Sequence, residues 1–150
     1  MLALHADSCA CLEPDFPGSA APASVRDTVL IVEDQDPVAN LLVCILERGQ
    51  FRALRARDGA EGLRIYAEEG ARIALAILDG TLPDMPGGTV ALRLRQLAAE
   101  LPLLFVSGRN LDALRHAFAG EDRTDFVTKP FFPADVLAHV RSLIADARLG

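Results

Sequence analysis

From Thr28 onward the apolar residues follow two alternating rhythms: short unbroken runs, and longer stretches in which they return every three or four positions. The short runs, bounded by turn formers, predict strands; the longer stretches predict amphipathic helices with one buried face. Thr28-Val-Leu-Ile-Val32 is the first run and ends in Glu33-Asp34. Asp36-Pro37 then supplies an N-cap followed by proline at the first helical position. Val38, Leu41, Leu42 and Ile45 predict the buried face of that helix, which stops near Gly49. Phe51 to Ala56 is a weaker second strand, and Asp58-Gly-Ala-Glu61 has capping-box spacing for a helix ending at Gly70.

Ile73-Ala-Leu-Ala-Ile-Leu78 is the run around which the chain is organised, apolar at every position and followed by a carboxylate at Asp79. It reads as a strand buried on both faces. Pro83, Pro86, Gly87 and Gly88 then take the chain out of the sheet through a loop. Val90, Leu94, Leu97 and Leu101 predict the next helix, with Arg93, Arg95 and Gln96 facing water. Leu103-Leu-Phe-Val106 is the fourth strand, ending at Ser107-Gly108, and a helix follows from about Leu111 to Phe118. Phe126-Val-Thr128 is a short fifth strand ending at Lys129-Pro130. Val136, Leu137, Val140, Leu143 and Ile144 line one face of a last helix from Pro133 to Leu149.

Strand and helix alternate five times, and such alternation with right-handed crossovers predicts an α/β fold with a parallel sheet covered on both sides. The expected strand order is the doubly wound 2-1-3-4-5. That order sets the ends of strands one and three beside each other at the topological switch point, where open α/β sheets bind ligands. Glu33, Asp34 and Asp79 then converge on one crevice. Carboxylates that close repel by roughly 4 kcal/mol per pair at roughly 4 Å in an effective dielectric of about 20, so the site attracts a cation. An all-oxygen donor set selects a hard divalent ion, and Mg²⁺ suits partial coordination with retained waters. Ser107 at the end of strand four adds a hydroxyl and Lys129 at the end of strand five adds an ammonium. Together these groups describe a site for a phosphoryl group on Asp79.

Composition narrows the partners. Fifteen Lys and Arg against 21 Asp and Glu leave a net charge of −6, which argues against binding nucleic acid through its phosphate backbone. Cys9, Cys11 and Cys44 are odd in number and form no disulfide framework, consistent with a reducing cytoplasm. Residues 1–24, rich in Pro, Ala and Ser, read as a flexible extension with neither a secretory signal nor a transmembrane helix. His5, Cys9 and Cys11 lack the further ligand a metal site needs. His116 and His139 lie far along the chain from the acid cluster and are given no chemistry.

Glu33-Asp34, Asp79 with Pro83 and Gly87 after it, Ser107-Gly108 and Phe126-Val-Thr-Lys129-Pro130-Phe131 resemble the receiver domain of two-component response regulators, the CheY-like family, over 25–150. The resemblance implies a flavodoxin-like sandwich in which Asp79 is the phosphoacceptor. It assigns Mg²⁺ to Asp34, to Glu33 largely through water, to Asp79 and to the backbone carbonyl of Thr81. Ser107 is then the switch hydroxyl, Phe126 the switch aromatic and Lys129 the phosphoryl-binding cation, with a cis peptide before Pro130. Thr81 and Arg109 stand where dephosphorylation rate is tuned, and Glu33 replaces the more frequent aspartate. A single-domain regulator of this kind takes its phosphoryl group from a histidine kinase or histidine phosphotransfer protein. It signals to a protein target, or to a second copy of itself, through the face of helix four, strand five and helix five. It is no enzyme beyond Mg²⁺-dependent phosphorylation and dephosphorylation of its own Asp79.

Two rival readings stand beside this one. A receiver fold can serve as a binding module without phosphorylation, although every acceptor-site residue is present here. Leu78-Asp-Gly-Thr-Leu-Pro-Asp84 also resembles the first motif of haloacid-dehalogenase-like phosphatases, but the nucleophile of that motif would fall at Ile77.

Overall fold

The computed structural model describes residues 27–149. The expectations for residues 1–24, including His5, Cys9 and Cys11, lie outside them. Five strands, β1 (Thr28–Val32), β2 (Arg52–Ala56), β3 (Ile73–Asp79), β4 (Leu103–Ser107) and β5 (Thr124–Thr128), form one parallel sheet in the order β2-β1-β3-β4-β5. The helices between and after them are α1 (Asp36–Arg48), α2 (Gly59–Glu69), α3 (Gly87–Leu97), α4 (Leu111–Ala117) and α5 (Pro133–Leu149). The doubly wound order expected from the alternation is the order observed.

Strand side chains alternate between the two faces, so each strand feeds two cores. Val29, Ile31, Leu75, Ile77, Leu104 and Val106 pack with Leu42 and Leu46 of α1 and Val136 and Val140 of α5. Leu30, Val32, Ala76, Leu78 and Phe105 pack on the opposite side with Val90 and Leu94 of α3 and Leu114 of α4. Each fully buried Leu, Ile, Val or Phe contributes roughly 1.5–3 kcal/mol, and none of the central strands can flip a register without burying its neighbours wrongly. The strand ends are thereby held in fixed relative positions, which is what the site requires.

Several local expectations are corrected. Helix α1 starts at Asp36 with Gln35 as its N-cap residue, because the Asp36 carboxylate is taken by Arg55 at 2.8 Å and Arg57 at 3.0 Å. Leu41 is 45% exposed and Leu97 60%, since the buried face of each helix is narrower than its apolar pattern. Helix α3 ends at Leu97, so the buried Leu101 belongs to the loop after it. Strand β5 begins at Thr124, two residues before the apolar run, because backbone pairing to β4 tolerates polar side chains at that end.

Arg95 does not face water. Its guanidinium donates to the carbonyls of Leu101, Asp122 and Arg123 and to Thr124 Oγ1, all within 3.1 Å, closing the ends of β4 and β5 opposite the site. His139 on α5 also has a partner, with Nδ1 2.6 Å from Asp125 Oδ2 on β5. The α2 capping box is half reciprocal: Asp58 Oδ1 accepts from Glu61 N at 2.8 Å, whereas Glu61 Oε1 accepts from Arg57 N at 2.7 Å.

Candidate functional site

The ends of β1, β3, β4 and β5 open together on a polar crevice of about 310 Å³ whose lining includes Asp34, Asp79, Thr81, Ser107, Arg109 and Lys129. Glu33 lies beneath it, 1% exposed. Carboxylate oxygens of Glu33, Asp34 and Asp79 all fall within 4.8 Å of one another, so the cluster expected at the switch point is assembled. Asp79 is 7% exposed, and its Oδ1 accepts from Thr81 N at 3.2 Å. Lys129 Nζ, reaching in from the end of β5, lies 3.0 Å from Glu33 Oε1 and 3.4 Å from Asp79 Oδ2. The peptide bond between Lys129 and Pro130 is cis.

Electrostatics make the cluster suited to a cation. Burial, partly offset by the Lys129 hydrogen bond and reinforced by the Asp79 charge, pushes the Glu33 carboxyl from 4.5 up to about 7. One ammonium cannot neutralise three carboxylates. A hard cation held by oxygen donors would relieve the remaining repulsion, and donor chemistry of this kind fits Mg²⁺. The residues present therefore fit the ion that the sequence implies.

Remote residues fix the acidic cluster. Arg55 on β2 donates from Nε and Nη2 to the Glu33 carbonyl at 3.1 and 2.8 Å while its Nη1 holds Asp36, so one guanidinium sets the turn that carries Glu33 and Asp34. Gly87 at the start of α3 lies against the end of β3: a Cβ there would collide with the Asp79 carbonyl oxygen, and its N–H donates to the Gly80 carbonyl at 3.0 Å. Asp84 in the loop between them accepts from Gly59 N at 2.8 Å and Ala60 N at 2.9 Å, tying that loop to the start of α2. Arg55, Asp84 and Asn110, which bonds to Ser107, were not singled out by sequence. Their only signal is a polar residue in a loop or edge strand, which is too common to select them.

Phe126 lies outside the crevice. Its ring stacks on Phe105 with centroids 5.6 Å apart and an interplanar angle of 12°, and the Arg115 guanidinium lies 5.9 Å above it. Pro130 and Phe131 instead line an apolar groove with Pro37, Val38 and Leu41 on the α1 side of the crevice. Ile77, the position a dehalogenase-like nucleophile would need, is an apolar core residue.

A doubly wound sheet whose switch point carries an acidic cluster, with a hydroxyl and a lysine on the next two strand ends, defines a receiver class of protein. The model of the response regulator receiver domain matches residues 29–141, and the chain belongs to that family. It is 34% identical over 118 residues to the uncharacterized transcriptional regulatory protein YkoG of Bacillus subtilis, covering 77% of this chain and 50% of that protein. It is 30% identical over 130 residues to the sensor kinase CckA of Brucella abortus, covering 87% of this chain and 13% of that one. The crystal structure of a putative response regulator from Chloroflexus aurantiacus superposes with a TM-score of 0.73 at 30% identity, covering 80% of this chain and 98% of that one. The chain spans about half the length of YkoG and of the regulators YbdJ and PhoP of Bacillus subtilis. No helix among the described residues is long and apolar enough to cross a membrane.

Proposed function

We propose that Asp79 accepts a phosphoryl group from a phosphohistidine on a histidine kinase or histidine phosphotransfer protein, and that the resulting change is passed to a protein target through α4, β5 and α5. The observation that carries this reading is the carboxylate of Asp79 at the mouth of the crevice, with Lys129 Nζ 3.4 Å away and two further carboxylates beside it. An Asp79 oxygen forms the new bond to phosphorus as the phosphorus–nitrogen bond of the donor breaks, and the electron pair of that bond returns to the imidazole. Thr81 N–H holds Asp79 Oδ1, which fixes the plane of the attacking carboxylate. Lys129 offsets negative charge on the transferred group, the kind of electrostatic stabilisation on which phosphoryl transfer depends.

Mg²⁺ would be held by Asp34 and Asp79, by Glu33 largely through water and by the Thr81 carbonyl, and when bound it supplies charge neutralisation to the phosphoryl oxygens. Ser107 donates to a phosphoryl oxygen, and Phe126 on the adjacent strand reports that movement to the output face. Thr81 and Arg109 at the crevice rim govern access of water and so the lifetime of the acyl phosphate. A phosphohistidine donor places this chemistry in the cytoplasm.

Incubation with acetyl phosphate and Mg²⁺ tests the reading. Intact-mass measurement is expected to show one added phosphoryl group, labile to base, on the wild type and none on Asp79→Asn. Equal labelling of both proteins would remove Asp79 from this role.

A further inference from the structure

Ser107 is 1% exposed, and its hydroxyl is bonded to Asn110 Oδ1. The Asn110 Nδ2 donates to the Gly80 carbonyl at 3.1 Å. A carbonyl cannot donate, so the amide must present its nitrogen to Gly80 and its oxygen to Ser107. Ser107 is therefore the donor in the bond to Asn110. Gly80 directly follows Asp79, and a Cβ on it would come within 2.6 Å of both Ser107 Oγ and Asn110 Oδ1. The side-chain pair fills the space a residue other than glycine would claim. Asn110 also immediately precedes α4, and its backbone carbonyl accepts from Leu114 N at 3.0 Å. In that N-cap position its side chain makes no cap, being engaged with Ser107 and Gly80, and its φ of −100° and ψ of 18° lie outside the extended region that capping residues use.

A serine hydroxyl carries one proton and donates to one acceptor at a time. Donation to Asn110 and donation to a phosphoryl oxygen on Asp79 are mutually exclusive. We propose that Asn110 is a positioning residue of the switch, a tether that holds the Ser107 hydroxyl off the acceptor until a phosphoryl group on Asp79 competes for it. The proposal rests on Asp79 being the phosphoacceptor. Engagement of Ser107 by the phosphoryl group leaves Asn110 Oδ1 without its donor at the residue just before α4, so exchange of one hydrogen bond reaches the output face.

Removal of the tether makes the activated state easier to reach. The probe is beryllofluoride with Mg²⁺, titrated by fluorine NMR into wild type, Asn110→Ala, Ser107→Ala, the double variant and Asp79→Asn. Loss of one competing hydrogen bond is expected to tighten binding to Asn110→Ala by about 3- to 10-fold. In the Ser107→Ala background the same substitution is expected to change nothing. A second measurement follows the Asn110 side-chain amide resonances, assigned by their absence from Asn110→Ala: in wild type they shift on addition of beryllofluoride, and in Ser107→Ala they stay in place. Binding to Asn110→Ala that equals or falls below wild type, an equal effect with and without Ser107, or an unmoved amide pair would each overturn the tether. Wild type that takes up no beryllofluoride, or an Asp79→Asn that binds it as well as wild type, would overturn the acceptor reading as well and so marks its failure separately.

Discussion

The Lys129 ammonium lies 3.0 Å from Glu33 Oε1, closer than the 3.4 Å that separates it from Asp79 Oδ2. The lysine is anchored by the most deeply buried carboxylate of the cluster and shared with Asp79, so under the proposed function it is already in place when charge arrives there. Its loss leaves three carboxylates facing one another. Lys129→Met is expected to destabilise the metal-free protein at neutral pH by about 1–3 kcal/mol, a range limited by proton uptake at Glu33. Added Mg²⁺ recovers much of the loss. Urea unfolding with EDTA and with Mg²⁺ checks this, and equal stability of mutant and wild type in EDTA would show that the ion pair contributes nothing.

Glu33 gives the metal-free protein a particular dependence on pH. Its folded value of about 7 lies above the reference 4.5, so between those values the folded state holds a proton that the unfolded state has lost. Stability falls as pH rises wherever the folded state binds more protons, so the metal-free protein is expected to lose up to a few kcal/mol from this group across that window. Bound Mg²⁺ would favour the ionised cluster and expel the proton. Calorimetric titration with Mg²⁺ near about pH 6.5, in two buffers of different ionisation heat, is expected to show release of up to one proton in wild type and none from this source in Glu33→Gln. Identical heats for wild type in both buffers would show that Mg²⁺ binding displaces no proton from Glu33.

Asp84 joins the loop after Asp79 to α2. Together Asp84 and Asp58 satisfy the N–H groups of Gly59, Ala60 and Glu61, which the first turn of a helix leaves without partners. The Gly59 N–H above all holds the Asp84 carboxyl below its ordinary 3.8. A depressed value means that the stabilisation is complete above 3.8 and disappears as pH falls through the folded value. Asp84→Ala is expected to melt below wild type at about pH 6, with the gap closing in strong acid. A gap that persists unchanged in acid would assign the effect to something other than the carboxylate.

Gly87 tests how closely Asp79 is packed. An added methyl at this position has no room beside the Asp79 carbonyl oxygen and approaches Gly80 Cα to 2.9 Å, so backbone must move. Gly87→Ala is expected to cost about 1–3 kcal/mol of stability, as overpacking does. Under the proposed function, displacement of Asp79 is expected to slow its phosphorylation by acetyl phosphate about tenfold or more, because small misplacements of a reacting group are costly. Denaturant unfolding and a phosphorylation time course report the two effects; a variant normal in both would mean that α3 can shift without disturbing β3.

The polar contacts that support the site were the part least legible in the sequence. Arg95 sits on an amphipathic helix where its neighbours face water, and nothing local distinguishes it from Arg93. Its burial is decided by the carbonyls of Leu101, Asp122 and Arg123, which converge only after β4 and β5 have paired. Leu41 reads as core by spacing, yet α1 turns that position into the groove beside Phe131. His139 and Asp125 lie on the consecutive elements α5 and β5, and their pairing depends on how α5 is rotated against the strand, which chain order does not set.

Sequence by itself determined the five alternating units, the parallel sheet and the placing of Glu33, Asp34, Asp79, Ser107 and Lys129 at strand ends. The reason is that burial of apolar runs with period two or 3.6 admits few arrangements, and right-handed crossovers leave one edge for all those residues. Tertiary structure alone decided that Lys129 is anchored by Glu33, that Arg55 fastens the acidic turn, that Asp84 holds α2 and that Asn110 takes the Ser107 hydroxyl. Hydrophobic burial is non-directional and leaves its imprint as a pattern along the chain, whereas a hydrogen bond needs one donor and one acceptor within about 3 Å in space. For residues as far apart in sequence as Asn110 and Gly80, that distance exists only once the sheet has closed.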